Sequence, residues 1–107
     1  MPCLISHFAL PDTRPPQLTF LGELPKTREQ NPTIRWSSNE YASFECMLQD
    51  NVVFDCGSGG EGSWTGRNLV DGPHILYVRG TDRLNNTGEF ISTSWKVGEA
   101  FILNEVQ

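Results

Sequence analysis

Turn-forming residues recur about every ten residues along this chain of 107, and the segments between them are short. Seven Pro and ten Gly residues supply most of these interruptions. No long window has apolar residues at helical spacing without a Gly or Pro, which disfavours a helical bundle. The pattern is instead typical of an all-β sandwich of about seven short strands.

The most informative stretch is Leu69–Asp82. Residues 71–73, Asp-Gly-Pro, predict a turn, because Gly tolerates positive φ and Pro has no N–H to donate. Residues 74–79 are rich in β-branched and aromatic types, which predicts a strand. Side chains of a strand alternate between its two faces, and His74 lies on the inward one. We expect this strand to lie in the middle of the sandwich.

Alternating runs predict five further strands, at residues 17–24, 33–37, 43–49, 52–56 and 90–97. Turns are predicted at Ser37–Glu40, at Asp50-Asn51 as a two-residue hairpin, and at residues 82–88. Gly57–Gly62 predicts a flexible loop, and residues 63–69 an irregular segment or short strand. The domain organisation is therefore a Pro-rich linker at 1–16, a β-sandwich at 17–98 and a tail at 99–107.

The charge distribution excludes some partners. The net charge is −5, and the eight basic residues form no cluster, which argues against nucleic acid or an anionic membrane surface. The longest apolar run is too short to insert into a membrane. The first residues lack the features of a secretory signal, so a secreted parent protein would contain this chain as one piece.

The order of several motifs resembles the immunoglobulin-like repeats of large extracellular and surface proteins. The residues that carry the resemblance are Phe44, Cys46, Leu48, Cys56, Leu69, Gly72, His74, Val78, Arg79, Asp82, Trp95 and Val97. The resemblance implies an immunoglobulin-like or fibronectin III-like β-sandwich. It also implies a non-catalytic extracellular or cell-surface module that spaces, stiffens or adheres, with neighbouring domains or another protein as partner and no cofactor.

Cys46 and Cys56 flank the predicted hairpin. They are candidates for a disulfide between adjacent strands, which would indicate an oxidising compartment. Two buried free thiols are the alternative. A zinc site would need further ligands that His7 and His74 are poorly placed to provide, so no metal is predicted. Cys3 is left over, and could pair with another chain or domain.

His74 is either a catalytic base or a structural residue. A catalytic role would require a nucleophile or acid within reach, and no such motif is present. A structural role, in which the ring nitrogens bond backbone near a turn, is favoured. Trp36 and Trp95 alternate with aliphatic neighbours, which predicts that both belong to the core.

Trp64 follows the Gly-rich segment without a clear strand period, so it either covers a sheet edge or forms an exposed contact. If the module binds a partner through a loop, Trp64 is the first candidate, followed by Tyr41 and Arg67. Exposed aromatic rings would also suit the alternative function, a carbohydrate-binding accessory module.

Asn85 begins an Asn-Asn-Thr sequence on a predicted turn, which is an N-glycosylation signal in a secreted eukaryotic protein. Asp82, Asn85 and Glu89 could offer oxygen ligands to calcium, but a calcium site needs more of them. The simpler interpretation is that the Asp82 carboxylate caps its own turn.

Overall fold

A computed structural model of the protein describes residues 13–22, 25 and 30–98. These residues form five antiparallel strands: β1 (Leu18–Leu21), β2 (Thr33–Met47), β3 (Val53–Thr65), β4 (Gly72–Thr81) and β5 (Ile91–Val97). The described part of the chain contains no helix, and therefore none that could cross a membrane.

The long hairpin of β2 and β3 belongs to both layers of the fold. Residues 33–37 of β2 lie between β1 and residues 61–65 of β3, and these three segments form the first layer. Residues 43–47 lie between β4 and residues 53–58 of β3, and β5 completes this second layer by pairing with β4. Counted by layer, the five strands provide seven segments, and the predicted β-sandwich is confirmed.

The hairpin bends where it passes from one layer to the other. The β2–β3 register shifts between Ser37 and Ala42, and the backbone N–H of Asn39 donates to the Gln17 carbonyl at 3.1 Å. The separate turn predicted at Ser37–Glu40 is wrong, since these residues remain extended within β2. Ser37–Glu40 form a bend within a strand. Polar residues occur both in such bends and in turns, so the sequence alone does not distinguish the two.

The flexible loop predicted at Gly57–Gly62 is also wrong, because this segment lies within β3 and pairs with β2. Its glycines have a packing role. A Cβ atom at Gly62 would lie 2.6 Å from Nε1 of Trp36, far inside van der Waals contact. Gly59 has φ 130°, a conformation that suits Gly at the bend.

The connection between β2 and β3 has five residues rather than the predicted two, because β2 ends at Met47 and β3 begins at Val53. Asn51 adopts φ 64° and donates its N–H to the Leu48 carbonyl at 3.0 Å. The Asp50 carboxylate accepts the N–H of Val52 at 3.0 Å. The polar pair therefore does reverse the chain, within a wider turn.

The core lies between the two layers. Its buried hydrophobic members are Ile34, Trp36, Ala42, Phe44, Cys46, Leu76, Val78, Trp95 and Val97. Trp36 of the first layer meets Phe44 of the second edge-on, with ring centroids 5.6 Å apart. Burial of each large side chain stabilises the fold by about 1.5–3 kcal/mol. The indole N–H groups of Trp36 and Trp95 have no acceptor among the described residues, so ring packing alone favours their burial.

The chain enters the sandwich at one end and leaves it at the other. Pro16 packs near Gly88, where an added Cβ would lie 3.1 Å from the Pro16 carbonyl, so the chain enters beside the β4–β5 turn; we call this the proximal end. Gly98 lies against Asp71 at the start of β4, which defines the distal end. The ten residues of β4 between the two ends span about 30 Å.

Several predictions fall on residues that the structure does not describe. They are the linker before Thr13, the tail at 99–107, the last part of the first predicted strand, His7 and Cys3. The domain boundaries at 17 and 98 remain predictions.

The close contact at Gly62 can be tested with a matched pair of variants. We expect Gly62→Ala to lower the free energy of unfolding by about 1–3 kcal/mol, because the methyl group must displace the fully buried Trp36 ring. Gly60→Ala, in the same strand and with no atom within 4 Å of the new Cβ, should cost less than about 0.5 kcal/mol. Urea denaturation measures both. Equal effects of the two substitutions would contradict the proposed packing role.

Candidate functional site

Cys46 and Cys56 form a disulfide across the second-layer half of the hairpin. Cys46 is fully buried and Cys56 is half-buried. The bond joins β2 to β3, the two strands shared by both layers. Closing a loop of this length contributes about 2–3 kcal/mol in the chain-entropy model.

His74 connects the β2–β3 turn to the loop before β4. Its Nε2 lies 2.7 Å from the Val70 carbonyl oxygen, and its Nδ1 lies 2.9 Å from Nε2 of Gln49. Oε1 of Gln49 accepts the N–H of Ile75 at 3.2 Å, which directs the amide NH₂ toward the ring. His74 Nδ1 is therefore an acceptor and Nε2–H a donor.

His74 is buried and hydrogen-bonded within the fold. The ring is buried and stacks on Trp95, with centroids 5.8 Å apart. Both nitrogens are engaged by Val70 and Gln49, and neither contacts a hydroxyl, thiol or carboxylate of residues 13–22, 25 or 30–98. A general base needs a free nitrogen within hydrogen-bond reach of a substrate. The hydrogen bonds of His74 instead hold the β2–β3 turn and the loop before β4 next to each other.

Trp64 lies on the inner side of the first layer. Its cross-strand partner is the buried Ile34, and its ring is 6.1 Å from that of Trp95. The ring is half-buried and packs against the core. Of the two roles considered from the sequence, this position corresponds to coverage of the sheet edge.

Tyr41 lies at the proximal end and is half exposed, at 51%. The Arg83 guanidinium stacks over its ring, 5.0 Å from the centroid. A hollow of about 480 Å³ is lined by these two residues with Glu40, Asp82 and Leu84. The sequence analysis did not identify Arg83 or Leu84 as candidate binding residues. The available signal was a single Leu within the otherwise polar turn at 82–88.

The three predicted binding residues are not brought together. Arg67 lies exposed in the loop between β3 and β4, at the distal end, whereas Tyr41 lies at the proximal end. Trp64 is in between and faces inward. A shared binding surface of Trp64, Tyr41 and Arg67 is therefore not formed within one copy of the sandwich.

Asp82 organises the β4–β5 turn. Oδ1 accepts the N–H groups of Leu84 and Asn86, each at 2.9 Å, and Oδ2 accepts the Asn86 side-chain amide at 3.0 Å. The hydrogen bond from the Asn86 side chain, aided by the two backbone N–H groups, lowers the pKa of Asp82, although burial acts in the opposite direction. Both oxygens serve the turn itself.

Asn85 occupies the tip of this turn. It adopts φ 67°, donates its backbone N–H to the Asp82 carbonyl, and is exposed. The hydroxyl of Thr87, the third residue of the glycosylation sequence, lies 2.8 Å from that of Thr81. Within the described ranges, no three His, Cys, Asp or Glu residues are grouped as a metal site.

The outer face of the second layer carries an ion pair. Nη2 of Arg79 lies 2.8 Å from Oε1 of its cross-strand partner Glu45, and its guanidinium also stacks on Phe90 at 4.5 Å. Both charged side chains remain partly exposed, at 32% and 43%. Such exposed pairs contribute about 0–1 kcal/mol to stability, so this one stabilises the outer surface of the sheet slightly.

The fold is similar to a solved structure described as the fibronectin(III)-like modules of Clostridium thermocellum CbhA. The TM-score is 0.53 with 16% sequence identity, over 76% of this chain and 95% of that one. At this identity the likeness establishes a fibronectin III-like fold. No protein-family model matches the sequence, and no curated protein has significant similarity to it. The immunoglobulin-like repeat pattern therefore stays a prediction.

The Asp82 cap predicts a pH-dependent effect of one substitution. Because the pKa of Asp82 is lowered in the folded protein, its contribution to stability is present above the unfolded value of about 3.9 and is lost as the pH falls through the folded value. We expect Asp82→Asn to be less stable than the wild type at pH 7, and the difference to shrink below about pH 4.

Urea denaturation across this pH range measures the effect. The exposed Glu89→Gln is the control and should match the wild type throughout. A wild-type to Asp82→Asn difference that does not change with pH would contradict the role of the carboxylate charge in the turn.

Proposed function

We propose that this chain is a non-catalytic structural or adhesive module, one unit of a longer extracellular protein. The observation that carries the proposal is the path of the chain. It enters beside Pro16 at the proximal end and leaves at Gly98 at the distal end, so the sandwich adds its length to a line of domains. A domain whose termini lie together would not space its neighbours in this way.

The cross-linked hairpin supports the same role. The disulfide between Cys46 and Cys56 joins the two strands that belong to both layers. A bond of this kind persists in oxidising compartments and is rare in reducing ones, which favours an extracellular or cell-surface location. It also shortens the length of chain that can be extended if the module is pulled.

The distribution of polar groups supports a binding or spacing role over an enzymatic one. Of the three buried polar residues that the structure describes, His74, Asp82 and Thr93, the two that can ionise make local hydrogen bonds with their side chains. His74 does not line the hollow at the proximal end. A nucleophile is activated by a base within hydrogen-bond reach, and the ring nitrogens of His74 are paired with Gln49 and the Val70 carbonyl instead of a Ser, Thr or Cys side chain of the described ranges.

A carbohydrate-binding accessory module has less support. Stacking on sugars requires exposed rings that share one surface, but Trp64 packs against Trp95, and among the aromatic residues that the structure describes only Tyr41 is widely exposed. The Tyr41 ring is also covered on one side by Arg83. The proximal end is accordingly better suited to a protein contact.

The proposal can be tested on the parent protein in its native source. Free thiols are alkylated without prior reduction, and the peptides carrying Cys46 and Cys56 are identified by mass spectrometry. We expect both to be unmodified until reductant is added, in material labelled by a membrane-impermeant surface reagent or recovered from the medium. A separate peptide of the same digest, the one that contains Asn85, would reveal whether that residue carries a glycan.

Two alkylated cysteines in protein confined to the cytosol would contradict the proposal. An alkylated pair in secreted protein would leave the location intact and overturn the structural use of the disulfide.

A further inference from the structure

The exposed large hydrophobic residues lie at the ends of the sandwich. Among the described residues, Tyr41 and Leu84 belong to the proximal end, and Val52, Val53 and Val70 to the distal end. Between the ends, the outward-facing side chains of the strands are polar, charged or, as for Ile75 and Tyr77, only partly exposed. Exposed apolar groups that are confined to two small areas mark contact surfaces more often than scattered ones do.

The proximal surface consists of Tyr41, Arg83 and Leu84. Leu84 is 58% exposed and borders the same hollow of about 480 Å³ that Tyr41 and Arg83 line. The Arg83 guanidinium is already held over the Tyr41 ring, and the Tyr41 hydroxyl lies 3.4 Å from Ser58 Oγ. Tyr and Arg that are fixed before binding are the residue types that dominate protein interfaces, because little side-chain entropy remains to be lost.

The distal surface consists of Val52 and Val70, which are 59% and 73% exposed. They belong to different loops, and His74 joins these loops by accepting from Gln49 and donating to the Val70 carbonyl. The two aliphatic side chains are therefore presented from a fixed base. Two exposed carboxylates, Asp50 and Asp71, lie in the same loops.

We propose that the proximal surface of one copy binds the distal surface of a second copy, head to tail. Val52 and Val70 provide the aliphatic groups for the hollow beside Tyr41 and Leu84, and Asp50 or Asp71 provides a carboxylate for Arg83. The inference rests on the proposed function, since the chain leaves one sandwich at its distal end and enters the next at its proximal end. The two surfaces thus face each other in a line of such domains.

The expected strength follows from the size of the ends. The surfaces consist of three and two side chains, and a contact this small between separate chains belongs to the weak class. Tethering consecutive domains raises the effective concentration to the millimolar range, where such a contact is populated. A head-to-tail contact uses two different surfaces, so separate copies associate into open-ended oligomers rather than a closed dimer.

Complementation between two variants of the full chain tests the inference. The proximal variant carries Tyr41→Ser and Leu84→Ser, and the distal variant carries Val52→Ser and Val70→Ser. Sedimentation equilibrium up to about 1 mM should show association of the wild type, with a loss of about tenfold or more in the association constant for each variant alone. An equimolar mixture of the two variants should form a one-to-one dimer, because each retains the surface that the other lacks.

Ser94→Ala, on the outer face of β5, is the control and should associate like the wild type. Thermal unfolding verifies that all variants are folded. A wild type that remains monomeric at the highest concentration would overturn the contact, as would a mixture that does not dimerise or a proximal variant that associates normally. An oxidised, secreted parent protein combined with any of these results would leave the proposed function standing and remove only the end contact.

Discussion

The pairing of β2 with β3 is the interaction on which the rest of the fold depends. One hairpin provides two segments to each layer, so neither layer is complete without it. Its bend brings the Trp36 ring edge-on to Phe44 and closes the core, and Gly62 leaves the space that the indole occupies. The disulfide then fixes the second-layer half of the same hairpin. Hydrogen bonding, core packing and the covalent bond thus act on one element.

This arrangement separates the faces of the sandwich from its ends. The faces are held by long strands, whereas the widely exposed apolar side chains lie at the two ends, in the loops and in the adjoining strand residues Tyr41 and Val53. His74 and Asp82 each order one end, the first through Val70 and Gln49 and the second through Asn86. His74 and Asp82 therefore support the loops that form the two contact surfaces. That role fits a module whose neighbours lie beyond its ends.

The sequence predicted the fold class because alternation is a direct record of which side chains face the core. Phe44 and Cys46 are buried as their spacing indicated. The bend near Asn39 and the strand through Gly57–Gly62 could not be predicted in the same way. Polar and Gly residues have little strand preference of their own, and a partner strand from elsewhere in the chain decides their conformation. The proximal surface could not be predicted from the sequence for the same reason. Tyr41 and Arg83 are far apart in the chain and meet only because the hairpin bends.

Native-state hydrogen exchange of β2 tests most directly whether one hairpin makes the two layers a single cooperative unit. The amides of Ile34 and Trp36 report on the first layer, and those of Phe44 and Cys46 on the second. If the account is correct, the best protected amides of both halves exchange with one free energy of opening, and reduction of the disulfide lowers that value in both by about 2–3 kcal/mol. Exchange of the first-layer half at a separate, lower free energy that reduction does not change would contradict it.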